Sequence, residues 1–76
     1  MVTVDLMEPF VIVAEIIEYP GRLVGIPLGV ELADTIEYAF DKARKRWPYH
    51  NLLASAWDNV NPQTRLAAID ADRQIY

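Results

Sequence analysis

Side chains that could act as nucleophiles are scarce in this chain of 76 residues. Cysteine is absent, and Ser55 and His50 are the only serine and the only histidine. A catalytic Ser–His pair needs the two side chains in contact, together with a third group that orients the histidine. Ser55 and His50 stand five residues apart on or near one predicted helix, which turns them away from each other. We therefore assign no catalytic residue, and the sequence favours a binding protein over an enzyme.

Two pairs of carboxylates offer a different kind of chemistry. Glu15 and Glu18 form one pair, and Glu31 and Asp34 form a second pair with the same spacing. Acids three residues apart share a face of a helix, so two helices that faced each other would gather four carboxylates. Carboxylate oxygens are suitable ligands for Mg²⁺. If both segments are helical, Glu15, Glu18, Glu31 and Asp34 are candidate metal ligands; otherwise the sequence indicates no cofactor.

Residues 14–40 resemble the MazG-like nucleoside triphosphate pyrophosphohydrolases. The resemblance rests on the two acidic pairs and on Gly25-Ile26-Pro27 leading into Val30-Glu31-Leu32-Ala33-Asp34. It implies that both acidic pairs lie on helices, that they bind magnesium, and that the protein hydrolyses nucleotides. This magnesium-dependent hydrolase is the alternative to a non-catalytic binding function.

A basic cluster with neighbouring aromatic side chains forms a second candidate site. Its members are Lys42, Arg44, Lys45, Arg46, Trp47 and Tyr49. Exposed aromatic and arginine side chains are typical of the energetically dominant part of protein interfaces, and such a cluster could also contact nucleic acid. The chain has a net charge of −4, so everything outside the four basic residues carries −8. That excess of negative charge disfavours nucleic acid and favours a protein partner.

The composition of the chain changes near residue 30. Residues 1–30 contain ten Val and Ile and one Ala, whereas residues 31–76 contain eight Ala and four Val and Ile. Branched side chains favour strands and alanine favours helices. Strands followed by helices predict an α+β fold, with a small antiparallel sheet in residues 2–27 and helices near 31–46, 50–59 and 62–74.

Residues 10–19 leave an alternative open. Their branched side chains favour a strand, but Val11, Glu15 and Glu18 fall on one face of a helix and leave a wide apolar arc. The alternative fold is therefore an all-α bundle. The following Tyr19-Pro20-Gly21-Arg22 is typical of a type II turn, and a strand from Arg22 is predicted to end at Pro27.

Local signals define the helices of the second half. Ala33, Ile36, Phe40, Ala43 and Trp47 form one apolar stripe, and Trp47-Pro48 should end that helix. A shorter stripe follows Asn51, a candidate N-cap. Asn61-Pro62 is a strong helix start, after which Leu66 and Ile69 should face the core.

Length and composition limit the remaining possibilities. The chain is long enough for one domain, residues 1–76, and 53% of its residues are apolar. A domain of this size buries only about 60% of its unfolded surface, so the apolar excess indicates an extra buried face in a homo-oligomer or against a partner. The sequence lacks a membrane span and a secretory signal. We expect a small acidic cytoplasmic binding protein that acts through a protein partner or its own oligomer, for example as an inhibitor.

Overall fold

The computed structural model describes residues 7–73 and has an α+β fold. Strands β1 (Glu8–Glu18) and β2 (Arg22–Ala33) precede helix α1 (Ile36–Arg46), strand β3 (Leu52–Ala56), a 3-10 turn (Trp57–Asn59) and helix α2 (Pro62–Arg73). The strands form one antiparallel sheet in the order β2-β1-β3. The α+β class is confirmed, whereas residues 2–6 of the expected sheet lie outside the described residues. None of the helices between residues 7 and 73 is long and apolar enough to cross a membrane.

The segment whose sequence fits both a helix and a strand is a strand, so the all-α alternative is wrong. Phe10 packs with Ala39 of α1, and Ile12 packs with Ala43. Val11 points to the opposite face and is also fully buried. Both faces are therefore covered in this part of the sheet, which explains why branched apolar residues follow one another without polar interruptions.

The turn between β1 and β2 differs from the predicted type II turn. The Gly21 N–H donates to the Glu18 carbonyl over 2.6 Å, and the Tyr19–Pro20 peptide bond is cis. Proline thus occupies the third position of the turn, as in a type VI turn. Gly21 has a φ of 138°, a value that residues with a side chain rarely adopt.

The second strand is longer than predicted, because it continues through Pro27 to complete twelve residues. Val13 lies opposite Pro27 but Ile12 lies opposite Gly29, so Leu28 is an extra residue in β2. Proline has no N–H for the hydrogen-bond ladder and is tolerated at edges and bulges. Pro27 meets both conditions, since β2 is an edge strand and the bulge follows directly.

The first helix begins later than predicted. Residues 31–33 belong to β2, and α1 starts after Thr35, whose hydroxyl accepts a backbone N–H of the first turn over 3.2 Å. Its predicted end at Trp47-Pro48 is confirmed. The buried positions of α1 are Ala39 and Ala43, whose small side chains allow the helix to lie close to the sheet.

The helix predicted for residues 50–59 is absent from the described chain, which has two helices rather than three. Leu52 is buried and Leu53 is exposed, the alternation of a strand with one covered face. The predicted cap Asn51 instead extends the sheet, because its carbonyl accepts the Glu15 N–H over 2.8 Å. Strand pairing with β1 therefore outweighs the helical tendency of the short apolar stripe after Asn51.

The last helix begins where its sequence predicts. The Asn61 side-chain oxygen accepts the Thr64 N–H over 2.8 Å, and Pro62 is the first helical residue. The buried residue of α2 is Ala68, whereas Leu66 is exposed. The prediction that Leu66 faces the core is therefore wrong.

The hairpin of β1 and β2 extends beyond the rest of the sheet. Strand β3 pairs with β1 only as far as Ala14, but β1 and β2 remain paired down to the turn. We call residues 15–26 the hairpin arm. The molecule is elongated, with principal extents of 56 × 26 × 25 Å.

Candidate interaction surface

The four carboxylates proposed as metal ligands occupy different environments. Glu15 and Glu18 lie three residues apart on strand β1, where side chains alternate between the two faces of the sheet, so the two acids point to opposite faces. Glu31 is buried in β2, and Asp34 is exposed just after it. Within residues 7–73, no group of three or more His, Asp or Glu side chains is arranged to hold a metal ion.

Glu31 instead forms ion pairs with the first helix. It lies opposite Phe10 in the sheet, on the face that α1 covers. Its Oε2 accepts a hydrogen bond of 2.7 Å from Arg46 Nη1, and Lys42 Nζ is 3.7 Å from its Oε1. Burial of a carboxylate is costly unless it is paired and hydrogen-bonded, and these contacts attach α1 to β2.

Arg46 joins this pair to the second helix. Its Nη2 donates to Asp72 Oδ1 over 2.6 Å, while Asp72 Oδ2 accepts the Val30 N–H of β2 over 3.1 Å. Asp72 was not among the candidate residues. A signal for it exists in the sequence, because an acid in the last turn of a helix opposes the macrodipole and so indicates a specific partner.

The neighbours of Arg46 also shift the pKa of its guanidinium. Partial burial lowers the pKa of the guanidinium, but the hydrogen bonds and charges of Asp72 and Glu31 together outweigh this effect and raise the pKa of Arg46 above its ordinary value. The guanidinium also lies 4.2 Å from the ring centre of Trp47, which packs against the core around Ile12.

The structure thus divides the basic and aromatic cluster into two groups. Three members make internal contacts, namely Lys42, Arg46 and Trp47. In addition to its contact with Glu31, Lys42 Nζ donates to the Leu32 carbonyl over 2.6 Å. The remaining members are exposed, and they are Arg44, Lys45 and Tyr49. Half of the predicted interaction surface therefore stabilises the fold, and the exposed half carries two positive charges rather than four.

The hairpin arm carries an exposed apolar surface that the sequence analysis did not identify. Ile16 and Ile26 are exposed on the face that α1 covers nearer the core, and Ile17 and Leu23 are exposed register partners on the other face. Tyr19 at the turn is 99% exposed. Single exposed apolar residues are normal, but five on a twelve-residue arm concentrate exposed apolar surface on this hairpin, and larger exposed apolar surfaces can mark interaction sites.

The two residues considered for nucleophilic catalysis lie outside the arm. Ser55 is half-buried in β3, and His50 is exposed in the connection that precedes this strand. They therefore belong to different local structures rather than to the single helix that the sequence predicted.

No protein-family model, curated protein or solved structure matches this chain. The resemblance to MazG-like hydrolases accordingly rests on residues 14–40 alone. Because Glu15 and Glu18 lie in a strand, the two facing helices on which the proposed magnesium site depends are not formed by this segment. We therefore infer function from the surfaces of the described residues.

Proposed function

We propose that this chain is a non-catalytic binding protein that acts through a protein partner or its own oligomer, and that the hairpin arm is its contact surface. The observation that carries the proposal is the extension of the arm beyond β3, with large apolar side chains exposed on both of its faces. The apolar excess of the sequence supports an additional buried face, and the arm holds five of the twelve large apolar side chains that are exposed among the described residues.

The energetics of burial favour the arm over the basic end of α1. Complete burial of one large aliphatic side chain contributes about 1.5–3 kcal/mol, and Ile17 and Leu23 are both more than half exposed. By contrast, Lys42 and Arg46 are already engaged by Glu31, the Leu32 carbonyl and Asp72. A partner at the basic end would compete with contacts that hold α1 and α2 in place.

Site-specific photo-cross-linking tests this proposal with a matched pair of positions. Tyr19 on the arm and Tyr49 at the basic end are both tyrosines, and they are 99% and 96% exposed. Each is replaced in turn by p-benzoylphenylalanine, and the protein is irradiated in the cells that produce it. We expect position 19 to yield a discrete cross-linked protein species and position 49 to yield little.

The comparison of the two positions controls for general stickiness of an exposed aromatic probe. Products from position 49 alone, or equal yields from both positions, would show that the arm is not the contact surface. Absence of a product from either position would contradict a binding function altogether.

A further inference from the structure

Among residues 7–73, the outer edge of β2 is partly blocked near the core and open in the arm. Val30 and Leu32 direct their backbone groups outward, and a side chain bonds one group of each: Asp72 accepts the Val30 N–H, and Lys42 donates to the Leu32 carbonyl. Long edge strands offer unpaired N–H and C=O groups to other chains, and proteins commonly block them. In this part of β2, Asp72 and Lys42 provide that block.

The register identifies the backbone groups on the open edge. The Glu15 N–H points to the β3 side, where it bonds Asn51, so the even-numbered residues of β1 point toward β2. Their partners, such as Val24 opposite Ile16, point inward. Leu23 and Gly25 therefore present their N–H and C=O groups at the outer edge of the arm.

The sequence of this edge lacks the usual protective residues. Residues 23–26 are Leu-Val-Gly-Ile, without a charge or a proline. Pro27, which follows, has no N–H and therefore ends any ladder that a neighbouring strand could form. The open edge is short, apolar and bounded by the turn on one side and by Pro27 on the other.

We propose that a second copy of this chain pairs with the arm along this edge, antiparallel about a two-fold axis at Val24. Leu23 of each copy lies opposite Gly25 of the other, and the two pairs exchange four N–H···O=C bonds. The proposal rests on the proposed binding function and specifies its partner. The product is a continuous six-stranded sheet in which Val24 lies beside Val24 of the other copy and Leu23 packs over Gly25 of the other copy.

The edge is self-complementary, which favours a second copy over an unrelated partner. A two-fold axis at Val24 pairs all outward groups of Leu23 and Gly25 and places Arg22 opposite Ile26, so the two arginines stay apart.

The distribution of charge also favours contact through the arm. Two copies each carrying −4 repel one another, but the hairpin arm carries a net charge of only −1, from Glu15, Glu18 and Arg22, and residues 23–26 of its edge carry no charge. Close approach costs least there.

Sedimentation velocity over a range of concentrations tests the pairing, with two leucines as a matched pair. Leu23 on the open edge is 62% exposed and Leu66 on α2 is 63% exposed. Lysine on an edge strand opposes pairing, so we expect Leu23→Lys to weaken dimerisation at least about 10-fold. Leu66→Lys should leave the monomer–dimer equilibrium unchanged, and circular dichroism should show that both variants are folded.

Amide hydrogen exchange of the wild-type protein provides a second measurement that needs no substitution. The Leu23 and Gly25 amides should be protected at concentrations where the dimer forms and should exchange rapidly on dilution. A monomer at every concentration, equal effects of the two lysine substitutions, or a dimer with unprotected Leu23 and Gly25 amides would each overturn edge pairing.

The cross-linking experiment separates failure of this inference from failure of the binding function. A product from Tyr19 at twice the mass of the chain supports both proposals. A product of any other mass supports the binding function and overturns pairing between two copies of this chain.

Discussion

Replacement of Arg46 by methionine removes the guanidinium that connects both helices to the second strand. Arg46 contacts Glu31 over 2.7 Å and Asp72 over 2.6 Å. Methionine preserves much of the length and apolar contact of the arginine stem, so the substitution chiefly removes the charge and its hydrogen bonds. Glu31 keeps only the longer contact to Lys42 at 3.7 Å.

The exposure of the three side chains sets the size of the effect. Removing one partner of a fully buried ion pair costs about 3–5 kcal/mol. The Glu31 side chain is 7% exposed, but that of Arg46 is 36% exposed, and solvent weakens such a pair. With Lys42 still near Glu31, we reduce the expected loss in the free energy of unfolding to about 2–3 kcal/mol. At roughly 4–8 °C per kcal/mol for a domain of this size, the melting temperature should fall by about 10–20 °C.

Urea unfolding monitored by far-ultraviolet circular dichroism measures this loss. Fluorescence is less suitable, because Arg46 lies 4.2 Å from the Trp47 ring and its removal would change the signal directly. Arg44→Met is the matched control, since Arg44 is on the same helix and exposed. A surface substitution of this kind should change stability by less than about 0.5 kcal/mol.

A second substitution tests the physical reason for the loss. If the cost arises from a buried charge left without its main partner, Glu31→Gln should restore stability in the Arg46→Met background. Equal losses for Arg46→Met and Arg44→Met would refute the bridging role. A double variant less stable than Arg46→Met would refute the assignment of the cost to the Glu31 charge.

Two further substitutions probe how the elements are positioned. Gly29→Ala would place a Cβ 3.0 Å from Trp47 Cη2 and 3.1 Å from Asp72 Cγ, so we expect a loss of about 1–3 kcal/mol by overpacking; a thermal melt at or above the wild-type temperature would contradict this. Asn61→Ala removes the acceptor for the Thr64 N–H and should cost about 1 kcal/mol in urea unfolding. Asn61→Asp should retain most of the stability, and an equal loss in both variants would argue against capping.

Sequence predicts this fold best where the determinants are local. The cap at Asn61 and the helix end at Trp47 both depend on residues within one or two turns of each other. Each side chain there satisfies or replaces a nearby backbone hydrogen bond, and the neighbouring residues reveal it. These boundaries agree with the structure.

Strand pairing determines the parts that local patterns predict wrongly. Residues 31–33 fit a helix by their spacing, but they pair with the start of β1, where Glu8 lies opposite Ala33. Likewise Leu52 lies opposite Ala14, far away in the chain. Such contacts form between distant segments, and tertiary pairing overrides weak helical propensity. No periodicity within either segment contains that information.

The candidate site residues show the same difference between local patterns, which the sequence reveals, and long-range contacts, which it does not. The sequence identifies Glu31 as a candidate metal ligand and Arg46 as a member of a basic cluster, but it assigns them to different sites. Their pairing depends on α1 lying across β2, and Asp72 enters only because α2 reaches the same edge. Several of the charged side chains that the sequence singles out therefore stabilise the fold. The hairpin arm, whose aliphatic residues the sequence does not single out, carries exposed apolar surface.

The features that protect β2 also determine where another strand could join it. Pro27 lacks an N–H, the extra residue at Leu28 disturbs the strand, and Asp72 occupies the N–H of Val30. A bulge increases local twist and interrupts regular pairing, so a strand that approaches from the arm cannot continue toward the core. Within the described part of β2, these features confine pairing to residues 23–26. In the proposed pairing these features therefore limit the extent of the contact, and the backbone hydrogen bonds of Leu23 and Gly25 hold the two copies together.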